Sequence, residues 1–278
     1  MRLGQVKWNG GTTAAIFNHT SARPIPDYTL YDLICRAEKE GSELPRLAED
    51  LALLRPVAAE PLIPLQPREV WACGSTYASS ASFRDEEGTG MYGRVHRDER
   101  PQIFFKGTAR VCVGPGQSIG IRPDSSFTAP EAELALVLGA RGRVLGYTLA
   151  NDVSAWDIER ESPLYLSQSK TFSASCALGP IMVTADEIAD PRGLVVSCTI
   201  TRNGETIFSG EVSTAQLGRT LERMVEFLMR ANPVPAGSVL LTGTGIIVGK
   251  EAALAAGDSV TIRVEQIGEL TNSAAMVS

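Results

Sequence analysis

The chain's 278 residues are 44% hydrophobic and 21% charged, the composition of a folded globular protein rather than a disordered or fibrous one. Lys plus Arg number 26 against 32 for Asp plus Glu, a net charge of −6, and no long basic run is present, which argues against a nucleic-acid partner. No stretch approaches the roughly 18 apolar residues of a membrane span, and MRLGQVKWNGGTTAAIFN lacks the apolar segment of a signal peptide, so a cytoplasmic location is expected.

Residues 1–65 read as a small N-terminal α+β domain, expected to serve packing or assembly. It opens with a strand-and-turn stretch, VKWNGGTTAAIF, where Gly10 and Gly11 signal the turn. A helix is predicted from about Asp27 to Glu40, because Leu30, Leu33, Ile34 and Ala37 recur at helical spacing. The proline-rich PLIPLQPRE then reads as a connector into residues 66–278. There VWACG and IFFK read as short strands, and Asn203-Gly204 is a pair that makes tight hairpins. The clearest helix is predicted over residues 215–230, with Leu217, Leu221, Met224, Val225 and Leu228 on one face. SVLLTG and SVTIRVEQIG return to strand. Many strands and few helices give an α+β, mainly β body.

Five scattered cysteines, without a C-x-x-C pair, read as small buried hydrophobes. The two histidines, His19 and His96, read as surface residues, so carboxylates must carry any metal. The stretch PEAELALVLGARGRVLGYTLANDVS sets Glu131, Glu133 and Asp152 into apolar, strand-like text. Glu131 and Glu133 are two apart and share a strand face. If Arg141-Gly142 is a two-residue hairpin turn, paired residue numbers sum to 283, which puts Asp152 opposite Glu131 on that face. At roughly 5 Å and an effective dielectric of about 20, two carboxylates repel by about 3 kcal/mol. Solvation, protonation of one acid, or a divalent cation could each offset that. Three oxygen ligands without His or Cys suit a hard ion, Mg²⁺ first, then Mn²⁺ or Ca²⁺.

The E-x-E pair is followed by N-D-V-S (Asn151 to Ser154), S-K-T-F (Ser169 to Phe172), L-G-P (Leu178 to Pro180) and T-G-T-G (Thr242 to Gly245). This ordered set, over roughly residues 66–278, resembles the fumarylacetoacetate hydrolase family. The resemblance implies a β-rich mixed roll, a homo-oligomer (dimer or tetramer), and a metal held by Glu131, Glu133 and Asp152. The stretch after Tyr77 lacks the histidine of a water-activating dyad. With S-T-Y-x-x-S, F-R-D-E, E-R-P and F-F-K, and the run ESPLYLSQSKTFSASCALGP, it is similar to the 2-keto-3-deoxy-D-arabinonate dehydratase branch.

That likeness implies Mg²⁺-dependent dehydration of a small 2-keto-3-deoxy sugar acid to 2,5-dioxopentanoate through a stabilised enolate. The alternatives are acylpyruvate hydrolysis or oxaloacetate decarboxylation, and a non-catalytic 2-oxo-acid or metal binding protein. Lys170 is the expected general base, its pKa lowered beside a dication. Arg84 and Glu86, on a lid helix, are further catalytic candidates. Ser80, Lys106, Thr244 and Gly243 are expected to bind substrate, the last two at its carboxylate. Ser173 stands where the family pattern has Asp.

Overall fold

The computed structural model describes residues 1–18, 21–85 and 90–278. The chain begins with β1 (Arg2–Trp8), β2 (Gly11–Asn18) and β3 (Ser21–Ile25). Asn9 and Gly10 both have positive φ, so the first turn falls one residue earlier than the Gly10-Gly11 signal suggested. Helix α1 (Leu30–Glu40) starts at Leu30 because Thr29 and Asp32 form a capping box, and it stops at Gly41 in the left-handed region. Helix α2 (Leu44–Leu51) follows.

Next come β4 (Val70–Gly74), α3 (Ala78–Asp85), α4 (Met91–Arg97), β5 (Gln102–Gly107), β6 (Ala132–Leu138) and β7 (Val144–Asp152). Short helices α5 (Trp156–Glu161) and α6 (Leu166–Lys170) precede β8 (Cys176–Thr184). The Asn203-Gly204 turn, with both φ positive, joins β9 (Val195–Arg202) to β10 (Glu205–Ser213). Helix α7 (Leu221–Met229) begins after the Thr220 cap, later than expected, because residues 214–216 form a 3₁₀ turn. The last strands are β11 (Ser238–Leu241), β12 (Ser259–Val264) and β13 (Gly268–Met276).

Among the described residues, the larger sheet has eleven strands and runs β3-β2-β1-β8-β7-β6-β11-β4-β5, with Val57–Ala58 beyond β3 and Cys112–Val113 beside β8. A five-stranded sheet, β10-β9-β12-β13 and then Ile119–Ile121, packs with it. The N-terminal strands thus join the main sheet through β1 and β8, where Leu3 pairs with Met182.

Strands β6 and β7 lie between two apolar layers. Leu134, Leu136 and Leu138 belong to the core that holds Ile200, Ile262, Leu270 and Met224. Ala135, Val137 and Ala150 belong to the core closed by Leu30, Leu33 and Ile34 of α1 and Leu44 of α2. With both faces covered, the strands read as continuous hydrophobic text. By alternation, Glu133 and Glu131 lie on the side of Ala135 and Val137, at the end of a sheet face from which water is excluded. The hairpin register places Ala132 opposite Asn151 and Glu133 opposite Ala150, and the Asp152 N–H donates to the Glu131 carbonyl at 2.9 Å.

A candidate metal-dependent active site

One oxygen from each of Glu131, Glu133 and Asp152 lies within 4.8 Å of the others. The residues are 3%, 1% and 1% exposed, which removes the solvated acidic face as an explanation. Asn151 Oδ1 accepts the Glu131 N–H at 3.1 Å, so the N-D pair of β7 fixes the start of the E-x-E segment.

Three cations close around the acids. Lys170, at the end of α6, donates from Nζ to Glu131 Oε1 at 2.8 Å, Asp152 Oδ2 at 3.2 Å and Ser154 Oγ at 2.6 Å. Lys106 Nζ lies 2.6 Å from Asp152 Oδ1 and donates to the Val153 carbonyl at 2.9 Å. Arg84, on α3, reaches Glu131 and Glu159 at 3.1 Å each and stacks over Trp156 at 4.5 Å. Glu159, on α5, is the fourth buried carboxylate and lies 3.8 Å from Lys170 Nζ.

The electrostatics follow. Burial, then the charges of Asp152 and Glu131, push the Glu133 carboxyl well above the usual carboxylate range. Burial pushes Asp152 and Glu159 the same way, but the lysines (for Asp152) and Lys170 with Arg84 (for Glu159) outweigh it, and both are held low. Burial would lower Lys170, yet Asp152, Glu131 and Glu159 raise it above its ordinary value. The expected lowering therefore does not hold against the carboxylates alone. It belongs to a site in which a dication shares them.

The residues fit such an ion. Glu133 Oε1 is buried with no hydrogen-bond partner, and the ligand group is all carboxylate oxygen, among the described residues. Four carboxylates against three cations leave the fully ionised cluster at −1. A dication would bring it to +1 with Lys170 as the ammonium, and to 0 with Lys170 as the free amine.

Several residues expected at the substrate have partners within the protein. The Gly243 N–H donates to Glu133 Oε2 and so orients a carboxylate of the protein. Gly243 has φ 91°, and a Cβ there would stand 2.0 Å from Thr76 Oγ1, which explains the glycine. Lys106, expected to bind substrate, is 0% exposed and pairs with Asp152. Ser80 is bonded to Arg84 and lines the cavity among the acids. Ser173 lines a separate pocket with Arg110 and Phe172. Thr244 does line the cavity, and Glu86 lies outside the described residues.

His96, expected at the surface, is half-buried on α4, with Nδ1 2.8 Å from the Ser75 carbonyl. Gln102, Phe104 and Glu159 also line the cavity and were not among the expected site residues. The space among these side chains is small, ≈ 10 Å³.

Fold and site together define a metal-dependent enzyme on a strand-rich mixed roll. The chain belongs to the fumarylacetoacetate (FAA) hydrolase C-terminal family, whose model matches residues 70–275. It is 44% identical over 213 residues to a 2-dehydro-3-deoxy-D-arabinonate dehydratase of Saccharolobus solfataricus, covering 74% of this chain and 72% of that one. It is 42% identical over 217 residues to a probable 2-keto-3-deoxyxylonate dehydratase of Haloferax volcanii, covering 77% and 75%. A solved 2-keto-3-deoxy-D-arabinonate dehydratase complexed with magnesium and 2,5-dioxopentanoate superposes with a TM-score of 0.83 at 35% identity, over 100% of this chain and 99% of that one.

Proposed function

We propose that this protein dehydrates a 2-keto-3-deoxy pentonate to 2,5-dioxopentanoate with Mg²⁺ held by Glu131, Glu133 and Asp152. The observation that carries the reading is the buried trio of carboxylates with the Lys170 ammonium 2.8 Å from one of them. The dehydratase relatives at 44% and 42% identity support it. Bound Mg²⁺ would supply Lewis acidity at the keto and carboxylate oxygens of the 2-oxo acid, acidifying its C3–H.

The remaining work falls to the chain. Lys170 Nζ, as the free amine, takes the proton from C3 and passes it to the departing C4 hydroxyl, so one proton and one hydroxide leave as water. The resulting unsaturated alcohol tautomerises to the C5 aldehyde. Ser154 Oγ, which donates to the Asp152 carbonyl at 2.8 Å and accepts from Lys170 Nζ at 2.6 Å, fixes the amine's direction. Arg84 is a positioning residue that holds Glu131 and Glu159 apart from each other, with Ser80 setting its guanidinium. Lys106 orients Asp152 in the same way. Thr244, on the cavity wall, is the group proposed to meet the substrate carboxylate.

The reading carries a cytoplasmic homo-oligomer with it. Five free cysteines suit a reducing compartment. No helix among the described residues is long and apolar enough to cross a membrane. The first 65 residues are proposed as the assembly-bearing part.

The test is to incubate purified protein with 2-keto-3-deoxy-D-arabinonate, with Mg²⁺ and then with EDTA. Formation of the aldehyde only with metal is expected. Release of pyruvate and acetate from acetylpyruvate, with no aldehyde from the sugar acid, would make the protein a C–C hydrolase. Calorimetric binding without turnover of any keto acid would make it a binding protein.

A further inference from the structure

The catalytic cavity has one neutral amide in its wall, Gln102, the first residue of β5. The charged side chains around it are already committed. Arg84 and Lys170 are paired with Glu131, Glu159 and Asp152. The Gln102 amide has only a long contact, from Ser75 Oγ to Oε1 at 3.4 Å, and Nε2 has no hydrogen-bond acceptor among the described residues.

The amide's position is built into the strand pair. Gly74 is the ladder partner of Gln102, and a Cβ at Gly74 would lie 2.4 Å from Oε1 and 2.6 Å from Cδ. The missing side chain on β4 is what lets the amide lie across that strand. Ser75, next in line, has φ 52°, and its carbonyl is held 2.8 Å from His96 Nδ1. The wall that carries the amide is therefore fixed from the side of α4 as well.

Gln102 and Leu166 also line a second, outer pocket of about 340 Å³, whose walls include Met91, Tyr92, Val95 and Pro163. Gln102 thus stands where the small charged cavity meets the larger, mainly apolar space. A five-carbon 2-oxo acid anchored by its keto and carboxylate end at the acidic trio is too long for the inner space alone. Its far end extends toward the wall that opens outward. There a neutral group that both donates and accepts matches a hydroxyl, and it adds no charge to the cluster.

We infer that Gln102 recognises the terminal hydroxyl of the sugar acid and sets the preference for hydroxylated over plain aliphatic 2-oxo acids. This rests on the proposed function, because it takes the 2-oxo end of the ligand to lie at Glu131, Glu133 and Asp152. A site built to hydrogen-bond a hydroxyl rejects the analogue that lacks one, because its own polar group is then left without a partner.

The test uses two ligands that cannot be dehydrated, since neither has a C4 hydroxyl: 5-hydroxy-2-oxopentanoate and 2-oxopentanoate. Their dissociation constants are measured by calorimetry with Mg²⁺ on the full chain and on Gln102→Leu, with Gln102→Met as a second apolar variant. The ratio of the two constants is expected to shift by about five- to tenfold against the hydroxylated ligand in the variants, while 2-oxopentanoate binding stays within about twofold.

An unchanged ratio would overturn the assignment, and so would equal weakening of both ligands, which marks a structural role. The two claims fail separately. If the wild type dehydrates 2-keto-3-deoxy-D-arabinonate and the ratio does not move, only the role of Gln102 falls. If the ratio shifts but the wild type dehydrates nothing, Gln102 stands and the dehydratase reading falls. Binding of neither ligand by the wild type would overturn both.

Discussion

Replacing Lys106 with Met tests the charge balance of the site more sharply than removing a metal ligand. Its ammonium is fully buried, 2.6 Å from Asp152 Oδ1 and 2.9 Å from the Val153 carbonyl. At that separation and an effective dielectric of about 20, the attraction is about 6 kcal/mol, part of which offsets the cost of burying the ammonium. Removing one partner of a buried pair costs about 3–5 kcal/mol, because the other charge stays behind without it.

Lys170 remains 3.2 Å from Asp152, which favours the lower end of that range. For a chain of this size the loss corresponds to roughly a 10 °C fall in melting temperature, read by differential scanning calorimetry in EDTA. The double variant Lys106→Met/Asp152→Asn should recover much of it, since neither charge is then buried alone. Mg²⁺ at about 100 times its Kd adds about 2.7 kcal/mol to a protein that binds it, so the single variant should also regain stability with Mg²⁺. A Lys106→Met protein that melts within about 2 °C of wild type in EDTA would refute the reasoning.

Glu133→Gln keeps an oxygen for the Gly243 N–H but removes the charge, and calorimetry should show Mg²⁺ affinity reduced about 100-fold or more with the fold retained. Gly243→Ala forces a side chain to φ 91° and against Thr76, and should cost more than about 1 kcal/mol in urea unfolding while weakening Mg²⁺ binding. Asp258 gives a pH signature away from the site. Burial would raise its carboxyl, but Arg202, at 2.8 Å through two nitrogens, and the Ala255 N–H hold it low. A depressed folded pKa contributes stability above the unfolded value near 3.9, and that contribution is lost as pH falls through the folded value. The stability gap between wild type and Asp258→Asn, measured by urea titration, should therefore be full at pH 6 and shrink below about pH 4; a gap independent of pH would contradict the pairing.

The parts of the site that are local in sequence were legible. Arg141 and Gly142 both take positive φ, as a tight two-residue turn requires, and pairs such as Glu133 with Ala150 keep the sum of 283. Alternation then carries Glu131, Glu133 and Asp152 to one face. The sequence does not show that the register slips at Leu138 opposite Val144 and recovers at Val137 opposite Gly146, where an irregularity is absorbed before it reaches the acids.

What stayed hidden depends on distant packing. Lys106 ends a short apolar run that does not show its burial, which comes about because Asp152 and Phe172 arrive from other parts of the chain. Glu159 carries no periodic signal; its role arises when α3 lays Arg84 over Trp156. Gln102 becomes notable only once Gly74 is its ladder partner. Nor does any local pattern announce that β1 pairs with β8, about 180 residues later.

The most direct measurement of the central claim is an anomalous difference map from crystals soaked in millimolar Mn²⁺, a heavier stand-in for Mg²⁺. One strong peak bonded to an oxygen of each of Glu131, Glu133 and Asp152, with Lys170 displaced from Glu131, is predicted. A map without that peak, with Lys170 still bridging Glu131 and Asp152, would contradict it.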